Sequence, residues 1–410
     1  HYISWYNPMQ NKIENYSIDS YEDVFRVIRM IFETETEEDH MSIGYLIENK
    51  VIDKYAKIIY ITNKLTEGTQ KEIAVIDKNL IGYQTTGVSS ACVTDFIDEL
   101  YIKSAANKEK NMERKLLDLK RKANSLLDEI AVDIQKNEYL KKTDYTILNT
   151  RMFQRSMLKN EINIRNDIGE KVDINENNTG INIKQGARML DSYDFASRVF
   201  EYISRFPNVH IFENTELKEM KSFYDFVEIK TQNDFWIKSG ALILTTGIGN
   251  IQIPNISNVE MYKRFSVALK TNLKKRVCVK MLNDIPIYIR CDENGNAIVS
   301  GIDTRYSFKM GNEKYLSALE KENGKKLKSI MYKLFPKVEI SDEIINYSGN
   351  IYSSKDNLPI ICEIENVPNV YLNVGMGSSS ISQMLIGADI LKEAIKGYYK
   401  KEMNLFKITR

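Results

Sequence analysis

The chain alternates between helical and strand-like hydrophobic patterns from one end to the other. Tyr21, Val24, Phe25, Ile28, Ile31 and Phe32 recur at helical spacing behind Ser20 and Asp23, which form a capping box. The acidic run at 33–39 then predicts a solvated linker. Residues 43–47 are a short apolar run, 51–65 follow on a helical period, and 72–76 form a second apolar run closed by Asp77. That order predicts strand–helix–strand with the two strands parallel and adjacent, and the strand at 370–374 is expected in the same sheet. Residues 103–135 predict one long amphipathic helix, because Met112, Leu116, Leu119, Ala123, Leu126, Ile130 and Ile134 lie along one stripe.

Strand-like segments around 144–184 precede a predicted helix at 190–205, with Ala196, Val199, Phe200 and Ile203 facing inward. Short strands follow at 210–213 and 225–229, and the apolar strand 241–244 runs into Thr245, Thr246 and Gly247. Alternation across 264–306 predicts an antiparallel sheet. Its clearest hairpin joins 287–290 to 297–301 through the turn 292–296, where Asn294-Gly295 is a strong hairpin signal. Pro286 cannot donate to a ladder and is expected to open that strand or lie on an edge. Alternation sets Tyr288 and Arg290 on one face and Ile287 and Ile289 on the other. A helix at 312–335, the strand 370–374, a Gly375-Met376-Gly377 turn and a helix from about Ser382 complete the pattern.

At 410 residues the chain is long enough for two or three domains. Its 57 Lys and Arg against 56 Asp and Glu leave a net charge of +1, which gives no drive toward nucleic acid or an anionic membrane. No apolar run reaches the roughly 18 residues of a membrane span. The four cysteines, Cys92, Cys278, Cys291 and Cys362, share no CxxC spacing, so a reducing, cytoplasmic compartment is expected. The three histidines are scattered, which argues against a metal site. No GxSxG elbow is present, so a serine hydrolase is poorly supported. Oxidoreductase, binding protein and structural protein remain.

Three segments share one design: at 45–55, 241–249 and 371–391 an apolar strand feeds a turn that leads to a helix or loop. In a doubly wound sheet such ends cluster at one edge, where backbone N–H groups and helix N-termini hold a phosphate. Asp77, at the end of its strand, is placed to bind a ribose hydroxyl, though it could also simply end the strand.

Segment 72–91, EIAVIDKNLIGYQTTGVSSA, resembles the second strand and following loop of FAD-dependent oxidoreductases of the D-amino-acid oxidase and glycine oxidase type. The stretch 241–247 is similar to that family's strand ending in a small-residue–Thr–Gly turn. Tyr347-Ser348-Gly349 with Asp356-Asn357-Leu358-Pro359 resembles its Gly…Asp-Gly-Leu-Pro signature, and 369–382 its C-terminal strand–turn–helix over the flavin. The resemblance spans roughly 43–100 and 186–395. It implies FAD as cofactor, contacted by Asp77 and Lys78, by Thr85, Thr86, Gly87, Ser89 and Ser90, by Thr246 and Gly247, by Gly349, and by Gly375, Met376, Gly377, Ser378, Ser379 and Ser380. It implies a small amine or amino acid as substrate, gripped by Tyr288, Arg290 and Arg305. For each of those three the plain alternative is a solvated or structural residue. Cys92 is expected in a helix after the loop, as a packing residue.

One departure bears on the cofactor. The family's G-x-G-x-x-G aligns with Glu48, Lys50 and Asp53, where the glycines would tighten the turn and admit the diphosphate. The expected fold is α/β: an FAD-binding doubly wound sheet from non-contiguous segments (41–100, 186–250 and 345–410), with a smaller antiparallel β substrate domain (144–185 and 251–344). The helical additions are 1–40 and 101–143. The expected function is hydride transfer from a carbon next to an amine onto flavin. The competing reading is a cofactor-free, inactive homologue serving as an interaction subunit. Residues 1–40 or 103–135 are the segments through which a partner subunit would dock.

Overall fold

A computed structural model describes residues 2–7, 12–17, 72–80, 89, 92–94, 112–149, 154–167, 169–170, 172–174, 180–246, 259–282, 286–398 and 400–408. In chain order its strands and helices are β1 (Tyr2–Asn7), β2 (Lys12–Ser17), β3 (Ile73–Ile76), β4 (Cys92–Thr94), α1 (Met112–Asp133), β5 (Lys142–Asn149), α2 (Gln154–Asp167), β6 (Val172–Ile174), β7 (Gly180–Met189), α3 (Ser192–Ile203), β8 (Val209–Phe212) and β9 (Leu217–Ser222). They continue with β10 (Val227–Thr231), β11 (Trp236–Ser239), β12 (Leu242–Leu244), β13 (Val259–Thr271), β14 (Val277–Leu282), β15 (Ile287–Cys291), β16 (Asn296–Arg305), α4 (Glu313–Leu334), β17 (Ile340–Ser354), β18 (Ile360–Ile364), β19 (Val367–Val374) and α5 (Ser380–Ile395).

The largest sheet runs β17-β13-β16-β15-β14-β5-β7-β4, with β6 beside β7. Its pairings are antiparallel except that of β14 with β5. The predicted hairpin is its centre. Pro286 stands immediately before β15, and Gly295 takes φ +83°, the left-handed conformation its turn requires. A Cβ there would lie 2.1 Å from the Thr271 carbonyl oxygen, so no other residue fits. The carboxylate of Asp292 accepts the backbone N–H groups of Asn294 (2.9 Å) and Asn296 (2.8 Å), which closes the turn. On one face Phe265, Val267, Ile287, Ile289 and Val299 pack with Leu327 and Met331 of α4 in a closed apolar cluster.

A second, larger core gathers α1, α5, β5, β7, β12, β18 and β19. There β12 pairs parallel with β19, which pairs antiparallel with β18, and β3 pairs parallel with β8. The small sheet β9-β10-β11 lies apart in the pairing scheme. Helix α1 buries Leu116, Ala123, Leu127 and Ala131, and Arg188 of β7 holds its Asp128 at 2.8 and 2.9 Å. Lys122 of α1 and Lys400 both reach Asp389 of α5, at 2.6 and 2.9 Å. The buried face thus shares Leu116 and Ala123 with the expected stripe but turns toward Leu127 and Ala131, leaving Leu119, Leu126 and Ile130 half-buried.

Several expectations change. Tyr2–Asn7 and Lys12–Ser17 pair antiparallel as β1 and β2, which no pattern had marked within 1–40; the helix expected at 21–32 lies outside the described residues. The strand-like region 144–184 contains α2, where the apolar spacing is weak but Arg165 bonds Glu161 one turn away at 2.7 Å, both buried. The boundary at 344/345 falls inside β17, whose Ile340–Ser354 pair with β13 almost throughout, so 345–354 belong to the large sheet. Cys92 lies in strand β4 and not in a helix, because Cys92–Thr94 pair with Ala187–Met189. Helix α5 begins at Ser380, ahead of the expected start. Residues 43–47 and 51–65 lie outside the described residues, and among the described residues no pairing joins β3 to β19.

Candidate active site

The hairpin alternation turns Tyr288 and Arg290 to the face opposite α4. Cross-strand register then lines up Lys280 (β14), Tyr288 (β15), Ser300 (β16), Ser266 (β13) and Tyr347 (β17) in one row. Its middle and one end are buried while the two tyrosines are half-buried: Lys280 is 3 % exposed, and the Ser266 and Ser300 hydroxyls bond each other at 2.9 Å. Burial pushes the Tyr347 phenol up from its ordinary value, opposed by the charge of Arg290 and a hydrogen bond with Ser266. Such a row costs stability unless its polar atoms find partners, and here the Ser266 and Ser300 hydroxyls find each other while Tyr347 bonds Ser266.

Arg264 stands beside the row. It donates to both oxygens of Asp303, at 2.7 and 2.6 Å, and to the Ser378 hydroxyl at 2.7 Å, and its guanidinium lies 4.6 Å from the Tyr288 ring centroid. It therefore ties the wall to the turn before α5. Gly375 and Gly377 in that turn take φ +73° and +58°, and Met376 bridges to Ser353 at the end of β17. Ser380 opens α5, and Ser89, Cys92, Val93, Ser378, Ser380, Ile381 and Ser382 line a narrow crevice at its start. The side chain of Ser379 lies outside the described residues. Arg290 donates to the carbonyl of Leu190, and Ser192 donates to that of Ser89 at 3.2 Å, so the chain after β7 folds onto the same region.

At the far end, Asp77 follows β3. Its N–H donates to Phe212 at 2.9 Å and its carboxylate accepts from Asn79 N–H at 2.8 Å. Burial raises the carboxyl pKa, partly opposed by that hydrogen bond. The side-chain nitrogen of Asn79 is buried without a partner among the described residues. Lys78 and Thr246 are exposed beside their strand ends. Gly349 sits in β17 opposite Arg264, in the large sheet. Thr85, Thr86, Gly87, Ser90, Gly247, Glu48, Lys50 and Asp53 lie outside the described residues.

Arg305 does not join the wall. It is 76 % exposed and pairs with Glu260 at 3.1 Å. The cause is local: Ile302 takes φ +55° and the β13–β16 register shifts between Lys263 and Phe265, so the end of β16 leaves the row. Arg264, Lys280 and Asp303 were missed in the sequence. Lys280 left a signal, a lone cation inside the apolar strand VCVKML.

A sequence profile described as FAD dependent oxidoreductase (DAO) matches residues 64–394. The chain belongs to this FAD dependent oxidoreductase family. Among solved structures it is similar to glycine oxidase from Geobacillus kaustophilus, at TM-score 0.63 and 14 % identity, covering 83 % of this chain and 92 % of that one. L-proline dehydrogenase from P. horikoshii gives 0.62 and 17 %, covering 83 % and 91 %. L-amino acid deaminase from Proteus myxofaciens in complex with anthranilate gives 0.60 and 11 %, covering 83 % and 88 %. No curated protein matches the chain. The fold is therefore that of the FAD dependent oxidoreductases.

The described residues fit the family's cofactor. A strand-end carboxylate at Asp77 suits ribose hydroxyls, and the unpartnered Asn79 amide leaves a donor at the same end. A turn with two glycines at positive φ, opening into the N-terminus of α5, suits an electron-rich ring edge. Among the described residues no cluster of His, Cys, Asp and Glu could hold a metal, and no helix is long and apolar enough to cross a membrane.

Proposed function

We propose that this protein is an FAD-dependent oxidoreductase acting on the C–N bond of a small amine or amino acid. The observation that carries the reading is the largely buried polar wall of Lys280, Tyr288, Ser300, Ser266 and Tyr347, linked to the turn before α5 by Arg264. Bound FAD supplies the hydride acceptor. The chain's own residues bind and orient. In this reading Arg290 offers a planar fork to the substrate carboxylate, and the Tyr288 hydroxyl gives a further hydrogen bond. Arg264 is already engaged by Asp303 and Ser378, which suits it to fixing the turn rather than to holding substrate. Asp77, with Asn79, binds the cofactor's ribose, and the sheet and α5 exclude water from the space between them.

The charged residues Glu48, Lys50 and Asp53 at the glycine positions favour the second reading, a cofactor-free interaction subunit. Fluorescence titration with FAD separates the two. The wild-type chain is expected to bind, and the triple variant Glu48→Gly, Lys50→Gly, Asp53→Gly to bind more tightly, by about 3 kcal/mol or more than a hundredfold. Anaerobic addition of glycine, proline or a secondary amine to the loaded protein should then bleach the flavin's visible band. If neither chain binds FAD, the interaction-subunit reading replaces this one.

A further inference from the structure

Two of the four cysteines meet across the molecule. The Sγ atoms of Cys92 and Cys278 lie 2.8 Å apart, though 186 positions separate them in sequence. That is nearer than two unbonded sulfurs rest, and longer than the disulfide bond of about 2.05 Å. Cys278 is in β14 directly opposite Arg290, and its side chain shares the face of Lys280. Cys92 is in β4, three positions after Ser89, and lines the crevice with Ser378, Ser380 and Ser382.

We propose that Cys92 and Cys278 form a reversible dithiol–disulfide pair that staples the end strand β4 to β14 of the same sheet, beside Arg290. Cys291, by contrast, is buried with its sulfur 3.7 Å from the Thr271 hydroxyl. Cys278 is 1 % exposed, whereas Cys92 is partly exposed at the crevice, so an oxidant reaches Cys92 first. The hydrogen bond with Cys92 and burial push the Cys278 thiol well above its ordinary range, which also makes Cys278 the later reactant. The charges of Arg290 and Arg276 act in the opposite sense and favour its thiolate once Cys92 has been capped.

The oxidant class is a low-molecular-weight disulfide. The Cys92 thiolate attacks one of its sulfurs, forms a mixed disulfide and expels one thiolate. The Cys278 thiolate attacks the Cys92 sulfur, forms the protein disulfide and expels the second. Two protein thiols lose two electrons and two protons, and the small disulfide becomes two thiols. The consequence is mechanical: β4, the end strand of the sheet, becomes covalently joined to β14, the strand paired with the one that carries Arg290. The proposal does not depend on flavin binding.

The test equilibrates the native full-length chain in glutathione buffers of rising oxidised fraction, then denatures it and alkylates the free thiols. The four reactive thiols are expected to fall to two, to return to four with reductant, and a digest is expected to yield a peptide joining Cys92 to Cys278. Cys92→Ser should keep its three remaining thiols free at every ratio. Cys278→Ser should stop at a glutathione adduct on Cys92. Four free thiols in the most oxidising buffer, or a linked peptide containing Cys291 or Cys362, overturns the proposal. Should Cys278→Ser fail to fold, the wild-type chain and Cys92→Ser decide the matter.

Discussion

On the α4 side of the large sheet, Phe265, Val267, Ile287, Ile289 and Val299 close against Leu327 and Met331; one residue further along the same strands stand Ser266, Tyr288, Arg290 and Ser300. A strand with one side in water would expose its polar residues. Here Ser266, Ser300 and Lys280 are as buried as the valines beside them. The difference between the sides is therefore one of chemistry and not of solvent. The apolar side is a core that any well-filled set of hydrocarbons would serve. The polar side must instead pair its hydrogen-bonding groups with one another, as Ser266 and Ser300 do at 2.9 Å.

The sharpest way to separate the sides is to damage one at a time. Leu327→Ala empties a fully buried position under the sheet and should cost about 2–5 kcal/mol in urea unfolding, with KM unchanged in the protein that remains folded. A loss below about 1 kcal/mol would show that the α4 side is not a close-packed core. Arg290→Ala should do the reverse. Losing a charge-assisted contact of about 1.5–3 kcal/mol raises KM for the amino acid by roughly tenfold to a hundredfold. FAD affinity should stay within a few-fold, and Arg290→Lys should not restore KM, because it lacks the planar fork. An unchanged KM would remove the wall from the substrate site. Tyr288→Phe, which deletes only a hydroxyl, should raise KM several-fold.

The smallest effects are alkaline ones of opposite sign. Tyr347 is the last member of the polar row, and burial raises its pKa. Its neutral form thus contributes stability that is complete below the unfolded value near 10 and is lost as pH rises through the folded value. Lys263 lies on the α4 side, bonded to Asn350 at 3.0 Å, and burial lowers its pKa. The folded state sheds that proton first, so stability rises with pH between the folded value and about 10.4. Unfolding midpoints from pH 8.5 to 11 (roughly the window set by these groups) should fall less steeply in Tyr347→Phe and more steeply in Lys263→Met. Identical slopes in all three chains would mean that neither group is desolvated by its side of the sheet.

The sequence made the hairpin legible because its instructions are local: Pro286 before the strand, Asn294-Gly295 in the turn, and strict alternation between them. It gave the faces of Tyr288 and Arg290 for the same reason. Arg305 was misleading, since the bulge at Ile302 depends on a register set by β13 and no period reveals it. Arg264 and Asp303 escaped because their pairing is written across 39 positions, and neither strand alone marks it. The pairing of β1 with β2 escaped because YISWYN and KIENYS mix polar and apolar residues with no clean alternation. The contact of Cys92 with Cys278 was invisible for the plainest reason: spacing reports neighbours on one element, and these two meet only after β4 has found β7.

The closed turn around Asp292 also has a kinetic meaning. Three hydrogen bonds to one carboxylate span no more than four residues, so β15 and β16 can zip together with little loop entropy lost. The pairing of Ile73 with Val209 must instead close a loop of well over a hundred residues. The order of assembly follows: the strand carrying Tyr288 and Arg290 takes its place early, and the sheet end at Asp77 is finished late. Pulse-labelled amide exchange during refolding should protect Ile289 and Val299 before Val75 and Ile211. A chain caught between those two moments would already have the strand of Tyr288 and Arg290 seated in its sheet while β3 and β8 were still strangers.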